Sequence, residues 1–347
     1  MTVPSVDGVL SPDDVRATAA SIVRMQEPSG AIPWTPGEHT DVWNHIEGAM
    51  ALLVAGERDA AEAAYAWVPT MQRDDGSWPL KIVESVVEDK RGDTNHAGYF
   101  AVGLWHHWLV CGDRGAIRRW WPSARDGLDW LITLQQPWGG ISYTPEDDYC
   151  LLAGNSSIYH SLTAGLALAG LFDEDRPEWE AAAEKLAAAL RGDRARFEDK
   201  SSFSMDWYYP VLGGAVRGDA GRELLGTRWD DFVIPGLGIR CVDTNPWVTG
   251  AESAELVMAL DALGDPASRE RALTIFRDIQ HLRADDGSYW TGWVYDDPSY
   301  DNENPNVYWP HEQTTYTAAA VILAADALGE RHGTCTPGSG IMRDLAR

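Results

Sequence analysis

The sequence has few basic residues, no paired cysteines and no long apolar run. Lys and Arg number 28 against 53 Asp and Glu, which gives a formal net charge of -25. Because contacts with phosphate need Lys and Arg, this balance argues against binding to nucleic acid through a general field. The cysteines form neither a disulfide framework nor a CxxC metal pair; they are Cys111, Cys150, Cys241 and Cys335. We therefore expect no bound metal.

Signals for membranes and for cofactor-dependent enzymes are missing as well. No apolar run reaches the roughly 18 residues that span a bilayer, and the N-terminal MTVPSVDGVLSPDD lacks the pattern of a secretory signal. No nucleophile elbow, P-loop or dinucleotide GxGxxG occurs. We expect a cytoplasmic protein that has no transmembrane segment and no cofactor and that acts on a small molecule. The sequence leaves its oligomeric state open.

Phenylalanine is also scarce, with 6 Phe against 17 Trp and 12 Tyr. Trp and Tyr combine a large flat face with a polar group, so they suit ligand cavities as well as cores. Most of them are expected to be packing residues. Those beside polar residues at the start of a predicted helix are the candidates for contact with a ligand.

Six apolar segments recur along the chain, and each alternates with a charged, amphipathic segment. We predict inner helices at 42–54, 96–110, 157–171, 207–216, 249–263 and 314–328, and outer helices at 11–26, 59–71, 116–134, 178–190, 220–233 and 268–282. Near-continuous apolarity predicts burial on most sides, whereas a charged face predicts contact with water. The pattern predicts an all-α fold, an (α/α)6 toroid, as a single domain over residues 1–330 followed by a C-terminal tail at 331–347.

Polar clusters open the inner helices, and parallel inner helices would bring these clusters together at one mouth, the candidate active site. The predicted catalytic residues are Asp93, Asp206 and Glu312, since burial beside aromatic rings raises the pKa of an acid and a helix start favours a carboxylate. A pair of acids in the apolar fifth segment, Glu252 and Glu255, indicates that at least one faces the cavity. The predicted substrate-binding residues are Asp41, Trp43, Asn44, His45, Asn95, His96, Tyr159, Trp207, Tyr208, Trp247, Glu252, Trp290, Trp309 and His311.

Long connections precede the second and the sixth inner helices, at 79–92 and 291–310. Loops of this length are uncommon unless they are functional or disordered. We expect them to form walls or a lid at the mouth.

A recurring phrase ends the outer helices. It runs from Gln72 to Trp78 and from Gln280 to Trp290, with weaker copies at 26–34 and 136–143. Gln and Asp side chains in it can cap adjoining helix ends, while Gly permits the turn. The first copy matches a QxxDGSW repeat, so the chain resembles the terpenoid cyclase and protein prenyltransferase superfamily, including its squalene-hopene cyclase branch. The resemblance implies an α/α toroid and acid/base chemistry on an isoprenoid.

The chain departs from that superfamily in its chemistry. No DxDD motif for protonating an alkene occurs, and the opening clusters contain no Lys or Arg to bind a diphosphate. Carboxylates, amides and aromatic faces also suit the cleavage of a carbohydrate by two acids. A glycoside hydrolase and a non-catalytic toroid that binds a small molecule or a sugar therefore remain as alternatives.

Overall fold

The computed structural model describes residues 2–301, 304–329 and 333–345, and most of this part of the chain is helical. The helices are α1 (Pro12–Met25), α2 (Val42–Ala55), α3 (Arg58–Trp67), α4 (Thr94–Cys111), α5 (Arg114–Ile132), α6 (Leu152–Leu171), α7 (Pro177–Gly192), α8 (Ser204–Leu212), α9 (Gly218–Thr227), α10 (Trp229–Phe232), α11 (Gly250–Ala262), α12 (Pro266–Asp278), α13 (Thr315–Gly329) and α14 (Ile341–Asp344). The predicted segments coincide with these helices, although their ends differ. The outer segment predicted at 220–233 is divided between α9 and α10.

The long helices form two concentric rings. The inner ring is α2, α4, α6, α8, α11 and α13, in which each helix packs against the next and α13 packs back against α2. Outside it, α1, α3, α5, α7, α9 and α12 each pack against an inner helix. The residues of α13 are buried along its whole length, as near-continuous apolarity predicts. The inner helices begin at one end of the ring, so their first turns surround a common mouth.

Short β-strands correct the prediction of an all-α fold. A hairpin of β1 (Pro79–Val83) and β2 (Val86–Gly92) leads into α4. A second antiparallel sheet contains β3 (Val233–Ile234), β4 (Gly238–Arg240), β5 (Trp247–Thr249), β6 (Gly292–Val294) and β7 (Val307–Tyr308), in that order. Both sheets lie in connections that lead into inner helices. Residues of the β1–β2 hairpin line a cavity at the mouth. The strands of the second sheet, with two or three residues each, are too short for an alternating pattern to predict them.

The recurring phrase at the ends of outer helices is a clamp between neighbours in the outer ring. Gln72 Nε2 donates hydrogen bonds to the carbonyl oxygens of Gly76 and of Ser123 on α5, each at 2.8 Å. Gln26 bonds in the same way to α3, and Gln135 to α7. The motif therefore links neighbouring outer helices, but its Gln side chains bond to carbonyl groups within the adjoining helix and do not cap a helix end as predicted.

Glycine is required in this clamp because the turn needs a positive φ and a close approach. Gly76 has φ 92°, and a Cβ built there would lie 2.4 Å from the carbonyl oxygen of Asp126 on α5. Gly287 has φ 89° and approaches Ala17 of α1 in the same manner. This last contact joins the end of α12 to the first outer helix and closes the ring.

The described C-terminal residues pack against the end of the rings that is opposite to the mouth. Thr336 donates from its backbone N and from Oγ1 to the Asp326 carboxylate, at 2.6 and 2.7 Å. Thr334 and Ser5 exchange two hydrogen bonds, at 3.0 and 3.3 Å. Residues 331–332 and 346–347 of the predicted tail lie outside the described residues. Over the described ranges, no helix combines the length and the apolar character that a membrane crossing requires.

Candidate active site

A cavity of about 500 Å³ opens at the mouth, between the starts of α2, α4, α6 and α8. We call it the mouth cavity. The predicted site residues that line it are Asp41, Trp43, Asn44, Asp93, Asn95, His96 and Asp206. The β1–β2 hairpin contributes Leu80 and Lys81 to its wall. The structure thus brings together residues that lie far apart in the sequence.

One wall of the mouth cavity is a cluster of two carboxylates and an imidazole. Asp41 caps α2 by accepting a hydrogen bond from the Asn44 backbone N at 2.9 Å, and its second oxygen accepts from Asn44 Nδ2 at 2.7 Å. His96 Nε2 lies 3.6 Å from Asp41 Oδ1 and 3.7 Å from Asp93 Oδ2. His39 Nε2 lies 3.7 Å from Asp41 Oδ2. The sequence analysis missed His39.

The two carboxylate oxygens of Asp93 have different surroundings. Its Oδ1 caps α4 by accepting from the backbone N of Asn95 at 2.7 Å and of His96 at 3.2 Å. Its Oδ2 faces His96 Nε2 instead. Asp41 Oδ2 likewise lies outside the backbone cap, so both carboxylates have an oxygen that can accept a hydrogen bond from a ligand.

Asp206 lies on the first turn of α8, on the far side of α6 from Asp93. It accepts a hydrogen bond from the Ala153 backbone N at 3.2 Å. Burial raises the pKa of Asp206 to about 6, because desolvation penalises the carboxylate more than this hydrogen bond stabilises it. Near pH 6 the group therefore holds a proton that it can donate to a ligand.

Buried glutamates lie beside the mouth cavity and are hydrogen-bonded to aromatic side chains. Trp43 lines the cavity, and its Nε1 donates to Glu47 Oε1 at 3.0 Å. Tyr99 donates to the same oxygen at 2.9 Å, and burial raises the pKa of Glu47 to about 7. Among the described residues, Glu47 Oε2 has no hydrogen-bond partner. The sequence analysis missed Glu47, although an acid in an apolar helix is a signal similar to the pair of acids that drew attention to Glu252 and Glu255.

Glu255 is bound by hydroxyl groups from two inner helices. Its Oε1 accepts from Tyr209 at 2.7 Å and from Tyr316 at 2.8 Å, and its Oε2 accepts from Tyr208. Burial also raises the pKa of Glu255, and the nearby Glu47 adds to this effect. Tyr208, predicted to bind substrate, is fully buried in this network.

The remaining predicted catalytic residue, Glu312, lies one aromatic ring away from the mouth cavity. It accepts hydrogen bonds at 3.2 Å from Trp34 Nε1 and from Thr291 Oγ1. The Trp34 ring stacks on His39, which lines the cavity, with ring centroids 5.9 Å apart.

Several predicted substrate-binding residues lie away from the mouth cavity. His45 is buried in the core, where it bonds to Ile32 N and Ala64 O, and burial lowers the pKa of its imidazole to about 4. The ring of Trp207 stacks on Phe232, with centroids 5.2 Å apart. The others outside the cavity wall are Tyr159, Trp247, Glu252, Trp290, Trp309 and His311.

Aromatic residues at the five-stranded sheet form a separate group on the rim. Trp247 and Trp309 meet edge to face with centroids 4.9 Å apart, and Trp309 is 38% exposed. Trp290 contacts the His311 ring at 4.7 Å. Trp247, Trp290, Trp309 and His311 do not belong to the lining of the mouth cavity, which contains Asp93 and Asp206.

Comparison with known proteins gives one strong sequence match, although no protein-family model matches the chain. The chain is 51% identical over 351 residues to the MMP endo-(1,4)-3-O-methyl-alpha-D-mannosidase of Mycolicibacterium hassiacum. This match covers 99% of the chain and 94% of the relative. It therefore includes both rings and the mouth.

Solved structures agree on the fold. A glycosidase variant superposes with a TM-score of 0.69 at 17% identity, covering 93% of this chain and 97% of its own. A rhamnosidase from Klebsiella oxytoca with rhamnose bound has a TM-score of 0.64 at 15% identity, covering 96% of this chain and 66% of its own. At these identities the likeness concerns the fold alone.

These comparisons correct the resemblance drawn from the QxxDGSW phrase. The sequence relative is a mannosidase and the fold neighbours are glycosidases, so membership of the terpenoid cyclase and prenyltransferase superfamily is wrong. The expectation of an isoprenoid substrate is wrong with it. The phrase misled because it is a clamp between outer helices, and such a clamp carries no information about the reaction.

Proposed function

Since this chain belongs to the family of the Mycolicibacterium hassiacum MMP endo-(1,4)-3-O-methyl-alpha-D-mannosidase, we propose that it is a glycoside hydrolase acting on an α-(1,4)-linked chain of 3-O-methylmannose. The observation that carries the proposal is the 51% identity across 99% of the chain. The mouth cavity supports it independently. Its volume of about 500 Å³ lies in the range of ligand sites, and it presents carboxylates, amides and imidazole groups that suit sugar hydroxyls.

Apolar side chains in the same cavity support a methylated sugar. Leu80, Leu151, Ile158 and Met205 line the wall beside the polar groups. Phe203 also lines it and is 42% exposed, so its ring is accessible to a sugar face. A 3-O-methyl group is apolar, and its burial against such side chains is favourable, whereas a plain hydroxyl would lose its contacts with water there.

In the proposed reaction, Asp206 is the general acid and Asp93 is the general base. Asp206 donates its proton to the bridging oxygen as the bond from the anomeric carbon to that oxygen breaks. Asp93 accepts a proton from a water molecule, whose oxygen attacks the anomeric carbon from the opposite face. The two products are a chain with a new reducing end and a chain with a new hydroxyl group. This arrangement inverts the anomeric configuration.

The experiment is incubation of the purified protein with α-(1,4)-linked 3-O-methylmannose oligosaccharides, followed by mass spectrometry. The wild type should release shorter oligosaccharides, and NMR should find the β-anomer as the first product. Asp206→Asn and Asp93→Asn should each lower kcat at least about 100-fold, since they remove the proton donor and the base.

A matched control is Asp219→Asn, which changes an exposed acid on the first turn of the outer helix α9. This variant should keep the wild-type kcat. Full activity of both Asp206→Asn and Asp93→Asn would refute the assignment of these residues. A first product with the α-configuration would refute the role of Asp93 as a base for water.

A non-catalytic sugar-binding protein is the second candidate, because helix caps use the acids of one wall. Asp41 and Asp93 both accept hydrogen bonds from backbone N atoms at the starts of α2 and α4. Binding of the oligosaccharide by calorimetry, without any release of products over a day, would favour this candidate.

A further inference from the structure

A second cavity, of about 470 Å³, lies on the other side of Asp206. We call it the outer cavity. It is bounded by the turn after α7, the start of α8 and the end of α9. Lys200 and Asp206 belong to the walls of both cavities, so these two side chains form the partition between them.

From this partition we propose that the outer cavity binds the leaving-group part of the substrate, the sugar units on the reducing-end side of the cleaved bond. This inference rests on the proposed glycoside hydrolysis. It adds a second binding site, and with it the requirement for a chain long enough to reach across Asp206.

The positions of the acid and the base decide which part of the substrate each cavity holds. A general acid contacts the bridging oxygen, and the base lies beyond the anomeric carbon, on the side opposite to the leaving group. Asp93 and His96 lie in the mouth cavity, which therefore holds the sugar that is attacked. The leaving group must then extend from Asp206 away from Asp93. The outer cavity lies in that direction.

The lining of the outer cavity suits a neutral sugar chain. Phe197 and Leu224 provide apolar surface for the faces of sugar rings. Arg194 lies half-buried in the wall, and its Nε donates to the Leu190 carbonyl at 2.9 Å. Its terminal nitrogens extend beyond that bond as donors for hydroxyl or ether oxygens.

Arg228 gives the outer cavity a fixed edge. Its guanidinium donates to Asp231 Oδ2 at 2.8 Å and also to Asp243 and to the carbonyl oxygen of Ser201. It also stacks over the Phe232 ring at 4.7 Å. A side chain held in so many contacts orders the wall before a ligand arrives, which reduces the entropy cost of binding.

The test fills the outer cavity by Ala195→Trp and, separately, by Thr227→Trp, since both positions are exposed on its wall. Each variant is assayed with a 3-O-methylmannose oligosaccharide and with the α-fluoride of a shorter one, whose leaving group is a single atom. The ratio of kcat/KM for the oligosaccharide to that for the fluoride should fall at least tenfold. Ala66→Trp, on the exposed face of α3, is the matched control and should leave the ratio unchanged.

A second measurement does not depend on turnover. Calorimetric titration of the oligosaccharide into Asp206→Asn should give at least a tenfold larger Kd when Ala195→Trp or Thr227→Trp is added. An unchanged ratio and an unchanged Kd in both variants would overturn the inference about the outer cavity, as would an equal loss of activity on both substrates. A wild type that hydrolyses neither substrate would instead overturn the proposed function.

Discussion

Burial determines the protonation of individual carboxyl groups in this acidic protein. The pKa is raised to about 6 for Asp206 and to about 7 for Glu47 and Asp326, in each case chiefly because burial penalises the anion. Exposed Asp297 has the opposite behaviour, because its hydrogen bonds from Ser299 lower its pKa. Residues of one type thus become proton donors or permanent anions according to their surroundings.

The pKa of Asp206 predicts the pH dependence of activity. A general acid works only in its protonated form, and the pKa of about 6 lies above the ordinary value of 3.8, so kcat should fall as pH rises through 6. A profile of kcat from pH 4 to 9 should show this alkaline limb, about tenfold per pH unit above it. Asp219→Asn should give the same profile. A profile that is flat between pH 5 and 8 would exclude Asp206 as the acid.

At the level of single residues, the sequence predicted those residues of the mouth cavity that lie at helix starts. Asp41 and Asp93 lie in the mouth cavity because they are the N-caps of inner helices, and N-caps are readable from sequence. Glu312 precedes a helix in the same way, yet the Trp34 ring separates it from the cavity. The position of that ring depends on contacts between distant segments, which no local pattern contains.

At the scale of secondary-structure elements, the clamps between outer helices contribute to the stability of the outer ring. Gly76→Ala should lower the free energy of unfolding by about 3 kcal/mol, because the new Cβ meets the Asp126 carbonyl at 2.4 Å and φ is 92°. Chemical denaturation would measure this loss.

The control for that substitution is Gly56→Ala. Gly56 also has a positive φ, of 96°, but among the described residues no atom beyond its own local backbone lies within 4 Å of the added Cβ. Gly56→Ala should therefore lower the free energy of unfolding by about 1 kcal/mol, which is the cost of the left-handed backbone conformation alone. Equal losses in the two variants would mean that the close approach of α5 to Gly76 contributes nothing.

The helices could be predicted from the sequence, whereas of the strands only short ribbons at 83–87 and 294–295 were indicated. The inner helices are apolar over several turns, so α13 was visible at almost its full length. By contrast, β3 and β7 are too short to show alternation, and they pair with strands from other connections. The phrase at Gln72 does make hydrogen bonds to an adjoining helix, although within that helix and not at its end. Its use as evidence for a superfamily failed because unrelated reactions share a helix clamp.

At the scale of the whole molecule, the mouth cavity and the contacts of the C-terminal residues lie at opposite ends of the rings. The mouth cavity lies at the starts of the inner helices, whereas Thr336 binds Asp326 near the end of α13. Ile341 and Met342 of α14 are buried there, with exposures of 5% and 7%. Stability at this end should therefore be separable from activity at the other.

Removal of the residues after Gly333 tests this separation. The truncated chain should lose at least about 3 kcal/mol of unfolding free energy, because burial of Ile341 and Met342 and both donors to Asp326 are lost. Its kcat/KM at 25 °C should equal that of the full chain as long as it stays folded, which circular dichroism would verify. A loss of activity in a folded truncated chain would show that the two ends are coupled.

The hydrogen bonds between Ser5 and Thr334 join the segment before α1 to the segment between α13 and α14. A chain opened at the exposed turn of Gly56 and Glu57, between α2 and α3, and closed by a linker between the first and last described segments would keep these hydrogen bonds. Such a circular permutant would keep the packing of both rings while changing which helices are synthesised first. The fold therefore requires that each helix keep its neighbours around the ring, whereas the order of the helices along the chain can differ.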